Sequence, residues 1–316
     1  MIFNFNKSHI KRGFLQISFA WLFALVVGAF ILLLAIFVSI KMINTEQTTE
    51  DAATAKDIGV LLNPLETGFE NGKKTLLDLP SETRIYSYCE EGDFGNQKLK
   101  VSQKSLGKWT DTGVEISIQN RYVFSESPSE GRQFYILSLP FEFPFKVADL
   151  IILIPKNKNY CFVNPSEDFF KIFSDLKLEN VFNASSIGSC PENSEKFCFN
   201  SQCTNGTIIH ESSKYIEKEK NLHYETDSLM YAAIFSDPDL YECQVKRLMA
   251  RAEGLAELYE KKSSFIAQRG CHSNINFANF IAKLNSAQND PSLIHLLSQD
   301  VENIKNANER GACPLW

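Results

Sequence analysis

Residues 14–40 contain no Asp, Glu, Lys, Arg or His. Twenty-seven residues without a charge, dominated by Leu, Ile, Val, Phe and Ala, exclude an ordinary surface helix, which shows a polar stripe to water. At about 1.5 Å per residue such a helix is about 40 Å long, against a hydrocarbon core of about 30 Å. No acidic residue precedes the run, and no cysteine lies in it or before it. The apolar part of a cleaved secretory signal is only about 7–15 residues long and ends at small residues. This one is longer and ends Phe37-Val38-Ser39-Ile40-Lys41, so it reads as an uncleaved signal anchor set in a lipid bilayer through residues 14–40.

Other absences bear on chemistry. There is no Cys-x-x-Cys knuckle, no Gly-x-Ser-x-Gly elbow and no His-Glu-x-x-His pair; the five histidines, at 9, 210, 223, 272 and 295, are scattered. Fifteen glycines are spread singly along the chain, so no glycine-rich loop offers itself to a phosphate. Cys190, Cys198, Cys203 and His210 are four potential zinc ligands, but their spacing lacks the knuckle that grips zinc tetrahedrally, and disulfides are the preferred reading. No residue is named as catalytic, metal-ligating or cofactor-binding, and no cofactor is expected. The many carboxylates leave an acid–base pair open, and with it a membrane-tethered hydrolase.

What is present fixes a topology. Lys7, Lys11 and Arg12 precede the apolar run, whereas Glu46, Glu50 and Asp51 follow it. The positive-inside bias puts the N-terminus in the cytoplasm and residues 42–316 outside, in a single-pass cell-membrane protein. Beyond residue 41 the chain carries 28 bases against 38 acids, a balance that repels nucleic acid and anionic lipid. All eight cysteines, Cys89, Cys161, Cys190, Cys198, Cys203, Cys243, Cys271 and Cys313, fall in that part and read as a disulfide framework in an oxidising compartment. Asn183 and Asn205 head Asn-x-Ser/Thr triplets there and are glycosylation candidates.

Hydrophobic periodicity divides the chain into a basic flank (1–13), the span (14–40), a helical juxtamembrane stalk (41–60), a β-rich region (61–182), a Cys-rich, strand-returning region (183–236) and a helical C-terminal region (237–316). The expected class is α+β. In the β-rich region alternation at residues 84–88, 98–102, 114–118, 134–137, 150–154 and 160–163 predicts antiparallel strands. The sequence Leu-Pro-Phe-Glu-Phe-Pro-Phe at 139–145 reads as an edge or inter-strand connection, because its prolines cannot donate to a ladder, with Phe141, Phe143 and Phe145 buried on one face. Residues 207–210 and 230–235 read as strands returning to the sheet.

Three helices are predicted at the C-terminal end. Ser236-Asp237-Pro238 is a start signal, and Leu248, Ala252, Leu255 and Leu258 line one face of the first. Ile275, Phe277, Phe280, Ile281 and Leu284 mark a second, and Asp290-Pro291 opens a third. A straight helix over 238–267 holds Cys243 and Cys271 about 40 Å apart, whereas a disulfide needs Cα atoms within about 7 Å. These two cannot pair. A hairpin of the second and third helices brings Cys313 back to Cys271, and Cys243 is left to join the 190–203 cluster or Cys161.

The N-terminus also carries a resemblance. Arg12-Gly13 ahead of a long apolar helix, with Gln16-Ile17-Ser18 close behind, resembles the class III signal of archaeal type IV pilin-like proteins. The resemblance implies leader removal between Gly13 and Phe14 on the cytoplasmic side, and packing of the apolar helix with its copies in a filament. Here Phe14-Leu15 separate Gly13 from Gln16, and Ala20 stands where that family commonly carries a glutamate. The resemblance covers about thirty residues. The leading expectation is a membrane-anchored, non-catalytic binding or envelope protein engaging a protein partner or self-assembling; a pilin-like subunit is the alternative.

Overall fold

The computed structural model describes residues 19–61, 74–91, 96–105, 107–109, 114–119, 121–200, 203–273 and 275–316. The chain divides into two compact units, Met1–Gln47 and Thr48–Trp316. In the first, helix α1 (Phe19–Leu61) begins with a stretch, Phe19–Ile43, of mean hydropathy 3.0 and with no buried side chain. Its length and composition are those of a membrane span. Residues 14–18 of the expected run, and Gly13 and Phe14 with them, lie outside the described residues.

The second unit contains the last turns of α1, which belong to the domain. Ala55 and Ile58 are fully buried, and Thr54 Oγ1 accepts a hydrogen bond from Gln103 Nε2 at 2.6 Å. They cover one face of a seven-stranded sheet built from β1 (Lys74–Cys89), β2 (Asn96–Ser105), β3 (Lys108–Trp109), β4 (Val114–Gln119), β5 (Tyr122–Phe124), β6 (Ser129–Glu142) and β7 (Lys146–Pro155), in the order β3-β2-β1-β6-β7-β5 with β4 beside β2. Every pairing is antiparallel except β5 on β7. Leu77, Ile85, Leu99, Val101, Phe134 and Ile136 fill the face under α1.

Within this sheet the 139–145 segment closes the β6–β7 hairpin. Within β6, Pro140 pairs with Asp149 of β7, and among the described residues β1 pairs with β6 only as far as Leu137. Phe141, Phe143 and Phe145 are all buried.

A second, six-stranded sheet consists of β8 (Asn159–Val163), β9 (Val181–Ala184), β10 (Ser194–Phe199), β11 (Thr207–His210), β12 (Tyr215–Glu217) and β13 (Asn221–His223), ordered β13-β12-β11-β10-β8-β9. The strands from β9 to β11 are mutually parallel, so the sheets are mixed where alternation alone suggested antiparallel pairing. Helix α2 (Glu167–Leu176) makes the β8–β9 crossover, opened by Ser166 Oγ accepting from Phe169 N. On the sheet's inner face Phe162 packs against Phe169, Phe173 and Phe197 with ring centroids 5.0–5.4 Å apart. On the outer face a short 3-10 turn, Ile187–Ser189, lies with Ile187 against the strands. Cys161 and Cys198, both fully buried, bond there to Cys190 and Cys203 and hold two short loops over Val163 and Ala184.

The remaining helices are α3 (Asp227–Ile234), α4 (Pro238–Ala267), α5 (Ala278–Asn289), a 3-10 segment (Pro291–Leu297) and α6 (Ser298–Arg310). Residues 230–235, read as a strand, belong instead to α3 and its C-cap. Thr226 Oγ1 accepts from Leu229 N, and every side chain from Leu229 to Ile234 is buried; a short segment apolar on all sides has no periodicity to separate helix from strand. Helix α4 is the 30-residue helix expected, and Cys271 bonds to Cys313 as the hairpin argument required. Cys243 differs: its partner is Cys89 at the end of β1, because the first turns of α4 lie against β1 and away from the outer-face loops. One core, shared by both sheets and α2–α6, unites these elements.

Candidate functional site

A group of ionisable side chains gathers where the two sheets meet the start of α4. Residues 125–128, Ser-Glu-Ser-Pro, link β5 to β6. Asp237, just ahead of Pro238, donates its backbone N–H to Ser125 O at 3.2 Å, and its Oδ2 accepts Ser127 N–H at 2.7 Å. The residue has the position of an N-cap, yet its carboxylate makes no cap bond to its own helix and serves the strand connection instead. Ser87 Oγ and Ser125 Oγ share a hydrogen bond of 2.7 Å, so β1 is fastened to the same point.

Lys158, in the β7–β8 turn, reaches into this junction. Its Nζ lies 2.5 Å from Glu126 Oε1 and 2.6 Å from Glu195 Oε2. Burial opposes the ammonium, but Glu195 and Glu126 together outweigh it and hold the Lys158 pKa above the ordinary value. Burial likewise raises the Glu126 pKa, against the pull of Lys158, and raises that of Asp237, against the bond from Ser127. Lys218 behaves oppositely. Its Nζ donates to Ile234 O at 2.7 Å and Ser236 O at 2.8 Å, the carbonyls at the end of α3, and burial pushes its pKa down to about 8 although Glu195, Glu126 and Asp237 are near.

Two hollows open on the junction. One of about 520 Å³ is lined by Glu126, Lys158, Glu195 and Lys218; the other, of about 490 Å³, shares Asp237 with it and has the Cys89–Cys243 bond in its wall. A third hollow, of about 610 Å³, lies elsewhere, with Leu139, Ile172 and Tyr231 beneath Asp168 and Asp227. Chemically the junction is a clamp: one ammonium bridges two carboxylates, Glu126 on the β5–β6 connection and Glu195 on strand β10. Such a pair is held together and does not present a separate acid and base to a substrate.

Comparisons with protein-family profiles, with characterised proteins and with solved structures find no match for this chain.

The residues singled out in the sequence are distributed as follows. All eight cysteines are in four disulfides, Cys89–Cys243, Cys161–Cys190, Cys198–Cys203 and Cys271–Cys313. The three cysteines of the conceivable zinc set are therefore bonded to sulfur, and among the described residues no three His, Cys, Asp or Glu gather as a metal centre. Asn183, on the edge strand β9, and Asn205, in the loop closed by Cys198–Cys203, both have exposed side chains. Gly206 beside it is required: a Cβ there would lie 2.4 Å from Cys203 Sγ and 2.7 Å from Lys196 O. The clamp escaped sequence reading because Glu126, Lys158 and Glu195 stand 32 and 37 positions apart, two on connections and one at the start of β10. The histidines that looked scattered are partly gathered, with His210, His223 and His295 in one row of rings.

Proposed function

We propose that this protein is a single-pass membrane protein whose disulfide-linked domain faces an oxidising compartment and acts there by binding or envelope structure, without catalysis. The observation that carries the reading is one of order along the chain: an apolar helix of spanning length stands first, and four disulfides lie beyond it. Disulfides persist outside the cytosol, and Lys7, Lys11 and Arg12 ahead of the helix favour a cytoplasmic N-terminus. The clamp supports a non-catalytic reading, since its charges are spent on holding two sheet connections to strand β10. Protease added to sealed right-side-out vesicles should digest the domain and spare a tag at the N-terminus. Protection of the domain with loss of the tag would reverse the topology and end the proposal.

A second reading, a pilin-like filament subunit, is favoured by one feature beyond the Arg12-Gly13 resemblance. Helix α1 carries both the apolar stretch and, at its far end, Ala55 and Ile58 buried on a sheet. The mass of the intact protein from native membranes tests it: a chain beginning at Phe14 supports the subunit, and one retaining residues 1–13 removes it.

A further inference from the structure

Strands β11, β12 and β13 place His210, Tyr215 and His223 opposite one another in register. The His210 and Tyr215 rings stack at 4.2 Å, Tyr215 and His223 stand 5.6 Å apart, and the row continues onto the 3-10 segment, whose His295 ring centroid is 6.3 Å from that of His223 at 38° between planes. Two imidazoles from elements 72 positions apart thus meet at the surface, His295 exposed and His223 half-buried.

The pair has features of metal-binding histidines. His295 Nδ1 lies 2.8 Å from Ser292 O. A carbonyl can only accept, so Nδ1 carries the proton and the Nε2 lone pair is left for a ligand, the arrangement in which a backbone carbonyl orients a metal-ligating ring. His223 is anchored through its backbone oxygen, which accepts the Tyr241 hydroxyl at 2.6 Å. Asp290, which caps the 3-10 segment through Ser292 N at 3.0 Å, adds negative charge to the neighbourhood and interacts electrostatically with His223. Tyr215 stands against the His223 ring, and Lys246, which also senses Asp290, is paired with Glu91.

Distance permits a shared ion. With metal–nitrogen bonds of about 2.0–2.1 Å, each ring centre lies a little over about 3 Å from the metal, so two ligating rings have centroids within about 6.4 Å of each other. The observed separation of 6.3 Å falls inside that limit and corresponds to a wide nitrogen–metal–nitrogen angle, as across a tetragonal Cu²⁺ site. Because no third His, Cys, Asp or Glu completes a cluster among the described residues, the remaining coordination positions fall to water or to a bound molecule.

We propose that His223 and His295 form an open two-imidazole site for a borderline divalent cation. Cu²⁺ binds such nitrogen ligands most tightly, with Zn²⁺ and Ni²⁺ weaker and Mg²⁺ and Ca²⁺ excluded by their preference for oxygen. The proposal is independent of the topology argued above. Its test is titration of the detergent-solubilised full chain with Cu²⁺, followed by calorimetry and by electron paramagnetic resonance. One tight equivalent with two imidazole nitrogens is expected. His223→Ala and His295→Gln should each weaken binding at least about tenfold and leave one nitrogen in the spectrum, whereas His272→Ala and His9→Ala should change neither. Because His295 is exposed, His295→Gln should keep the melting temperature of the parent, so its effect on the metal is read in a folded protein. Binding as tight as the parent's in both variants, or a two-nitrogen spectrum that survives either substitution, would overturn the site.

Discussion

Cys89, the last residue of β1, is bonded to Cys243 in α4 with Cα atoms 6.1 Å apart, although the two stand 154 positions apart in the chain. The Glu91–Lys246 ion pair at 2.7 Å lies beside the bond, so this edge of the first sheet is fixed to the helix by one covalent and one ionic contact. By the chain-entropy account a cross-link that closes so long a loop stabilises by up to about 5 kcal/mol, and one that closes five residues by about 2 kcal/mol. Cys89→Ser/Cys243→Ser should therefore lower unfolding stability by about 2–5 kcal/mol, and Cys198→Ser/Cys203→Ser by less. Urea midpoints of the two variants decide the order, and a larger loss from the short loop would contradict it.

The end of α1 gives a second expectation. Ile58 is 1% exposed on the first sheet, and truncating a buried isoleucine to alanine costs about 2–4 kcal/mol. Ile58→Ala should show that loss in a fragment comprising residues 48–316, and a fragment beginning at residue 62 should lose cooperative unfolding, because Leu77, Leu99 and Phe134 would face water. A fragment lacking residues 48–61 that melts like the longer one would show that the helix end is not part of the fold.

The α+β class, the strands at residues 84–88 and 134–137 and the 30-residue helix were legible because each rests on local periodicity. The Cys271–Cys313 bond was legible because helix rise sets distances along a chain. What depends on two distant segments meeting was not. Cys243 was directed to the wrong partner because nothing local tells that β1 ends against α4. The parallel neighbours β8, β10 and β11 alternate no differently from antiparallel ones, and α3 is apolar on all sides. For the same reason the Glu126–Lys158–Glu195 clamp and the His223–His295 pair left no mark in the sequence, since each exists only once the second sheet has formed.

The clamp predicts a non-additive response. Lys158→Met leaves Glu126 and Glu195 facing each other, half-buried and without their shared ammonium. Removing one partner of a fully buried pair costs about 3–5 kcal/mol, and partial exposure reduces this to about 1–3 kcal/mol. Lys158→Met/Glu126→Gln/Glu195→Gln should recover much of the loss, because it removes the repulsion together with the attraction. Chemical denaturation at neutral pH is the measurement; a triple variant no more stable than Lys158→Met would mean that the charges do not act as a unit.

Lys218 makes stability depend on pH with a definite sign. Its pKa falls from the ordinary 10.5 to about 8 on folding, so between pH 8 and 10.5 the unfolded chain binds more protons than the folded one. Stability rises with pH wherever that holds. The rise has an upper bound, because the tyrosines Tyr160 and Tyr241 are buried and their pKa values are raised; above about pH 10 the unfolded chain sheds phenolic protons that the folded one retains, and stability falls. The parent protein should thus gain about 1 kcal/mol from pH 8 to 9, below the onset of the phenolic loss. In Lys218→Arg, where the guanidinium keeps its proton throughout, and in Lys218→Met, which has none to lose, the rise from pH 8 to 9 should be absent. Lys218→Met should also be less stable at pH 7 by about 1–3 kcal/mol, since Ile234 O and Ser236 O lose their donor. Urea unfolding at half-unit steps from pH 7.5 to 10 gives the slopes, and an undiminished rise in both variants would assign it to another group.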